Sequence, residues 1–203
     1  MLAVLLAALL AQTAHQKHHP PRDADSYAKV LENPARDKWQ KPHDVIQVLK
    51  LRQDEVVADI GAGSGYFTRR LARHAARVYA VDIDAKLLDK VKQSSAPNVE
   101  TILATPDDPK LAPGSVDTVF ICDVLHHIDG RPAYYAKLKQ ALKPGGRVVI
   151  IDFHKKELPV GPPPSMKLSS DQVKEEFAKA GFQLRQDHGA LLEYQYFIEF
   201  VLY

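Results

Sequence analysis

The sequence lacks what several broad classes of protein require. Of its 203 residues one is a cysteine, Cys122, which excludes a disulfide framework and a multi-cysteine metal site. Charge is nearly balanced, 27 Lys and Arg against 25 Asp and Glu for a net charge of +2. No basic run is interleaved with aromatic residues, so nothing electrostatic points to nucleic acid as a partner. No apolar run is long enough to span a bilayer, so no integral membrane span is expected. What remains is 45% hydrophobic and 26% charged, an ordinary composition for one globular domain with a proper core.

The longest apolar run, Leu2 through Ala11, is followed by the small residues Thr13 and Ala14. It suits the core of a secretion signal, although no Lys or Arg precedes it. Export is the reading preferred for residues 1–14. A short surface helix or a misassigned start, leaving a cytoplasmic protein, is the alternative. His15, His18 and His19 come next, beside Pro20 and Pro21, without any acidic or thiol partner, and read as a solvated linker. Residues 1–25 are therefore expected to be leader and linker, and residues 26–203 the functional domain.

Against this background one stretch stands out. Val56-Val57-Ala58-Asp59-Ile60 is an apolar run broken by one acid, and Gly61, Gly63 and Gly65 follow at alternate positions before a helix-like segment from Tyr66. Strand, glycine turn and helix start make a cradle in which a ligand lies against the backbone. A dinucleotide fingerprint needs GxGxxG, but here Tyr66 stands where the third glycine should be. Asp59 would repel a pyrophosphate and suits a ligand with positive charge. S-adenosylmethionine (SAM), with a sulfonium, an ammonium and no phosphate, fits that requirement. Asp82 ends the next apolar run about 20 residues past the glycines, the place of a carboxylate that accepts from ribose hydroxyls. Either kind of nucleotide cofactor would use it.

These residues resemble the class I SAM-dependent methyltransferases, in the group acting on small molecules. Asp59 to Gly65 looks like the family's first motif and Val81-Asp82 like its ribose-binding acid. Asp117 to Ile128 resembles its fourth-strand motif, and Leu142-Lys143-Pro144-Gly145-Gly146 with the apolar run after it resembles the turn and strand that follow. The resemblance covers about residues 36–203. It implies an α/β fold, a Rossmann-like three-layer sandwich with a mostly parallel seven-stranded sheet and helices on both faces. It implies in-line methyl transfer to an unidentified small-molecule acceptor, with SAM as cofactor and no metal. The implied cofactor residues are Asp59, Gly61, Gly63, Gly65, Asp82, Ile83, Thr105 and Asp123. Thr105 stands near the place where many relatives carry an adenine-binding acid. His127, matching a histidine after the fourth strand, and His126 beside it are the catalytic candidates, weighed against a local packing role. Two alternatives stay open: a SAM-binding protein without transfer activity, and an NAD(P)-dependent oxidoreductase with an irregular glycine loop.

The remaining elements follow from pattern. Pro42 starts a helix within Trp39–Leu49, and residues 71–76 complete the helix after the glycines. Lys86–Gln93 and Pro132–Leu142 are helical, and Val99–Leu103 is a short strand. Ser169 with Gln172 is a capping-box start for a helix that Gly181 ends. Phe182–Arg185 and Gln195–Val201 close the chain as strands. Cys122, in an apolar run, is expected to be a small core residue.

Overall fold

The computed structural model describes residues 23–202. The apolar leader and the His/Pro-rich stretch lie outside the described residues, save for the last three positions of that segment. Among the described residues Asp23 caps the first helix, α1 (Ala24–Leu31), accepting from Ser26 N at 3.1 Å. Two further helices precede the sheet, α2 (Arg36–Gln40) and α3 (Pro42–Leu49), the latter opened by Pro42 in its first turn. Then come β1 (Val56–Ile60), α4 (Thr68–Leu71), β2 (Arg77–Asp82), α5 (Ala85–Ser94), β3 (Val99–Leu103) and β4 (Val116–Cys122). The chain ends with α6 (Arg131–Ala141), β5 (Leu142–Phe153), α7 (Ser170–Lys179), β6 (Gln183–Asp187) and β7 (Gln195–Val201). No helix among the described residues is long and apolar enough to cross a membrane.

The seven strands among the described residues join one sheet in the order β3-β2-β1-β4-β5-β7-β6. β1 pairs in parallel with β2 and β4, β2 with β3, and β4 with β5. The sheet is nevertheless mixed, because β7 runs antiparallel to both β5 and β6. The short 188–194 connection between β6 and β7 permits a hairpin, whereas parallel neighbours need a crossover. Strand order reverses between β1 and β4, and in open α/β sheets ligands bind outside the carboxyl ends of the strands at such a point.

Period-two alternation splits the core into two faces. Ala58, Ile60, Ile121, Ile150 and Phe200 pack against Tyr135 and Leu138 of α6 and Phe177 of α7. Val57, Phe120, Val149 and Phe197 pack against Val45, Ile46 and Leu49 of α3 and Leu71 of α4. Ala80 covers Leu88 and Val91 of α5. Cys122 is buried on the second of these faces, as its apolar setting implied.

The helix after the glycines is shorter than its sequence suggested, ending at Leu71 rather than reaching Ala76. Side-chain and strand contacts capture the backbone groups that would extend it. Asn98 Nδ2 donates to the carbonyls of Ala72 and Ala75, and Ala76 N donates to Glu55 O. The Pro144–Gly146 turn sits inside β5 as an irregularity, where pairing with β4 shifts register between Val116 and Thr118.

A buried ionic network fastens the sheet near the amino ends of its parallel strands. Arg147 donates through Nη1 to Glu199 Oε2 at 3.0 Å, through Nη2 to Leu49 O at 2.7 Å and through Nε to Thr118 Oγ1 at 3.0 Å. Glu55 joins through Thr118 at 3.1 Å, and His188 Nε2 lies 2.8 Å from Glu199 Oε1. One guanidinium thus ties α3, β4, β5 and β7. Removing one partner of such a network leaves uncompensated buried charge, which costs about 3–5 kcal/mol. Arg147→Ala should lower the unfolding free energy in urea by that amount.

Candidate active site

The carboxyl edge of the sheet gathers most of the residues the sequence singled out. At the end of β1 the chain turns through Gly61, Gly63 and Gly65, with φ of 71°, 55° and 89°. Gly61 N and Ala62 N donate to Val81 O at 2.8 and 3.1 Å, which pins the loop to β2. A side chain at Gly61 would overlap Val124, and a Cβ on Gly63 would come within 2.8 Å of Leu31 Cδ1. Both positions therefore accept only glycine, the space a side chain would need being taken by Val124 and Leu31.

Asp82, the last residue of β2, grips this loop. Its Oδ2 accepts from Gly63 N at 2.7 Å and its Oδ1 from Asp84 N at 2.9 Å. Burial pushes its carboxyl above the usual range, against the pull of these amides. Asp84 in turn caps α5, accepting from Lys86 N at 2.8 Å. Ile83 and its neighbour across the edge, Leu103, are exposed apolar side chains beside this acid; Asp82 and Leu103 are register partners.

Asp59 is 3% exposed and its Oδ2 accepts from Thr68 Oγ1 at 2.6 Å, so it braces the start of α4. Burial pushes its carboxyl up to about 7, Thr68 opposing and the Asp82 charge adding to the shift. Thr105 stands apart from these groups. It is exposed on the loop after β3, its hydroxyl donating to Asp107 Oδ1 at 2.8 Å, inside a bridge between Thr105 and Asp108.

Beyond β4 the backbone of Asp123 is held at φ 61°, a left-handed conformation that is uncommon for a residue with a side chain. Arg36 Nη2 donates to Asp123 Oδ2 at 3.2 Å, and Gln195 Nε2 donates to Oδ1. Burial raises the Asp123 carboxyl to about 6, with Arg36 opposing. Gln40 Nε2 donates to Gln195 Oε1 at 2.6 Å, and the Arg36 guanidinium lies 4.1 Å from the centre of the Tyr66 ring. This cluster attaches α2 to the site. Glu32, just past α1, accepts from Ser64 Oγ at 2.6 Å and from Arg69, attaching α1 to the glycine loop.

His126 and His127 form a short 3-10 turn after β4, their rings 4.0 Å apart. His126 is buried and its Nδ1 lies 2.8 Å from Asp152 Oδ1 and 2.9 Å from Oδ2. Asp152, near the end of β5, is 1% exposed and also accepts from Phe153 N at 2.8 Å.

Arg36, Gln40, Gln195 and Asp152 were not among the residues the sequence singled out. Asp152 carried a usable signal, an acid ending the apolar run Val148–Ile151 just as Asp82 ends its own. The other three sit in polar stretches and gain significance only when distant segments meet.

Comparison with known proteins agrees with this geometry. Residues 58–150 match the family model described as a methyltransferase domain. An uncharacterized methyltransferase of Mycobacterium bovis is 34% identical over 116 residues, 57% of this chain and 47% of that protein. A demethylmenaquinone methyltransferase of Tropheryma whipplei is 28% identical over 109 residues, 53% of this chain and 45% of its own. Residues 58–150 are thus similar to a methyltransferase domain, and the relatives and the fold place this likeness among the SAM-dependent methyltransferases. The chain spans about half the length of these curated relatives. A SAM-dependent methyltransferase structure from Aquifex aeolicus shares the fold with a TM-score of 0.82 at 24% identity, covering 90% of this chain and all of that one.

The residues present fit the family's cofactor. The cradle is closed to side chains, its flanking acids suit a cation rather than a pyrophosphate, and Asp82 is fixed as an acceptor. Gly61→Ala tests the cradle. Its methyl would force a φ of 71° on alanine and press on Val124, whose Cγ1 lies 2.9 Å from the new Cβ position. The cost should be at least about 1–2 kcal/mol of stability. Trimming the neighbour in Gly61→Ala/Val124→Ala should recover part of that loss in a double-mutant cycle.

Proposed function

We propose that this chain transfers a methyl group from SAM to a small-molecule acceptor, the acceptor lying beside the turn after β4. The observation that carries this reading is Asp82 locked to Gly63 across the glycine cradle. That contact leaves an acceptor-only carboxylate beside a bare stretch of backbone. When bound, the cofactor supplies a methyl carbon activated by an adjacent sulfonium.

Each part of the chain then has a defined task. Asp82 accepts from the ribose hydroxyls, Gly61, Gly63 and Gly65 let the ligand lie against the main chain, and Ile83 gives the adenine side an apolar wall. Asp59 supplies negative charge near the amino-acid end. Asp123 lines the approach while Arg36 and Gln195 fix its conformation. Thr105, tied within its own loop, is assigned to the adenine rim. His126 and His127 stand where a proton leaving the acceptor can be taken up. Alignment of the reacting atoms supplies much of the rate in such transfers, so the scaffold's rigidity matters as much as any base. A small molecule is favoured as acceptor by the nearly balanced charge, and one relative is named for methylating demethylmenaquinone. Binding without transfer is the reading to be separated by experiment.

Calorimetry with SAM makes the test. Asp82→Ala should weaken binding by about 2–3 kcal/mol, the scale of hydrogen bonds to a charged group. Wild-type affinity in that variant, or tight NAD(P) binding in place of SAM, would refute the assignment. Binding should also depend on pH with a definite sign. Asp59 is protonated below about 7 in the free protein, and a cation beside it favours the carboxylate. The proton is therefore released on binding, and affinity should rise with pH up to about 7 and then level off. Below that value it should weaken by at most about tenfold per pH unit, one proton being linked. Enthalpies measured in two buffers of different ionisation heat would count that proton; a count of zero at pH 6 would remove Asp59 from contact with the cation.

A further inference from the structure

We propose that Asp152 is a positioning residue that holds His126 as the base for an acceptor hydroxyl, with the Tyr196 hydroxyl orienting that acceptor. The proposal rests on the methyltransferase reading and narrows it to O-methylation.

The geometry of the pair is specific. A carboxylate can only accept, so with Asp152 at 2.8 Å it is Nδ1 of His126 that carries the hydrogen. Nε2 is then left with its lone pair, the tautomer a general base requires. Asp152 is itself fixed, since Phe153 N donates to it at 2.8 Å and His126 N at 3.3 Å. Both faces of the carboxylate are thus held by the backbone while its charge is directed at one imidazole.

Tyr196 supplies an independent observation. It pairs with Asp152 in the antiparallel register of β5 and β7, so the two side chains leave the same face of the sheet. Tyr196 is 2% exposed and its hydroxyl has no hydrogen-bond partner among the described residues. A buried hydroxyl left unsatisfied is destabilising, and a polar acceptor group would offset that. Burial and the charge of Asp152 push this hydroxyl well above its ordinary range, so it stays protonated and can donate.

Other charged and titratable groups around the pair are Asp123 with its partner Arg36, His127, Cys122 and Lys167 ahead of α7, and the His154 ring lies 6.1 Å from that of Tyr196. For His126, burial opposes the charged form, but the hydrogen bond and charge of Asp152, joined by Asp123, outweigh burial and Lys167 and raise it above its ordinary value. Amines and thiolates attack a methyl group without first losing a proton to a base, whereas a hydroxyl gains most from one. In the step, the acceptor O–H breaks and its proton passes to His126 Nε2. The oxygen's electron pair forms the bond to the methyl carbon, and the pair of the broken carbon–sulfur bond remains on sulfur. The imidazolium, stabilised by Asp152, then returns its proton to water.

Two measurements on the full chain decide the matter. In 15N-histidine NMR, His126 should show a protonated Nδ1 and a bare Nε2, titrating above the ordinary histidine range; Asp152→Asn should lower that titration. The opposite tautomer, or a titration unmoved by the substitution, overturns the proposal whether or not SAM binds. Transfer is read with methyl-13C SAM and a small-metabolite extract as acceptor source, the carbon shift of the product separating O-, N-, S- and C-methyl groups. An O-methyl product is expected, with a rate that rises with pH through the His126 titration. In Asp152→Asn that limb should move to lower pH and kcat fall by about 10²-fold or more, with SAM affinity unchanged. Tyr196→Phe should cut kcat/KM about tenfold while leaving stability equal or higher. If Asp152→Asn does not fold, His126→Gln serves, again with a loss of about 10²-fold. An N-, S- or C-methyl product, a pH limb unaffected by these substitutions, or SAM bound without any transfer overturns the proposal. Failure to bind SAM at all overturns the cofactor reading instead, and calorimetry separates the two.

Discussion

Four neighbouring strands each bring an aspartate to the carboxyl edge of the sheet, and the need to satisfy those buried carboxylates organises the molecule. Asp59 on β1, Asp82 on β2, Asp123 after β4 and Asp152 on β5 all sit where apolar packing gives way to the site. A buried carboxylate left without any hydrogen-bond partner there would be costly. Each is instead met by a different donor: the Thr68 hydroxyl, the amides of Gly63 and Asp84, the pair Arg36 and Gln195, and the His126 ring with Phe153 N. These donors come from the glycine loop, from α2, from the turn after β4 and from the last strand. The acids therefore set where those segments can lie.

The amino-terminal helices show the consequence. α1 and α2 are short, and isolated helices of that length are marginal in water. They are held by what they touch at the site. Arg36 and Gln40 reach Asp123, Gln195 and the Tyr66 ring, while Glu32 reaches Ser64 and Arg69. Leu31 stands over Gly63. The same contacts that satisfy the edge thus close one side of the cradle, and a change at Arg36 acts on both the anchoring of α2 and the strained backbone of Asp123.

How far the sequence disclosed this depends on how local each signal is. β3 and β7 occupy the residues that alternation assigned, Val99–Leu103 and Gln195–Val201, and Ser169 caps α7 by accepting from Gln172 N, one half of the expected capping box, while the Gln172 side chain turns to Glu176. The glycine loop and Asp82 were legible because strand, turn and acid lie within about 25 residues of one another in a fixed order. The truncation of α4 was not, since it depends on Asn98 capturing two carbonyls from another loop. α1 and α2 were missed for the same reason: their stabilising partners lie as many as 155 residues away, as Gln40 and Gln195 do. The parallel pairing of β1 to β5 followed from strands alternating with helices, but the antiparallel placing of β7 did not, because strand direction is not encoded in an apolar run.

Alternation also explains why one edge can serve two chemical purposes. Asp59 is in register with Phe120 and, through it, with Val149, so it leaves the face covered by α3 and α4. Asp82 shares that side through Ala80, the register partner of Asp59. Asp152, three residues beyond Val149, must leave the opposite face, together with Ile150 and Tyr196, where α6 and α7 pack. An odd spacing in β5 is thus enough to separate the carboxylates that brace the glycine cradle from the one that holds a histidine. Moving that acid by a single residue, to position 151 or 153, would turn it toward α3 and away from His126. The apolar partners along β5 would remain paired, so the sheet would keep its register while the histidine lost its orienting partner.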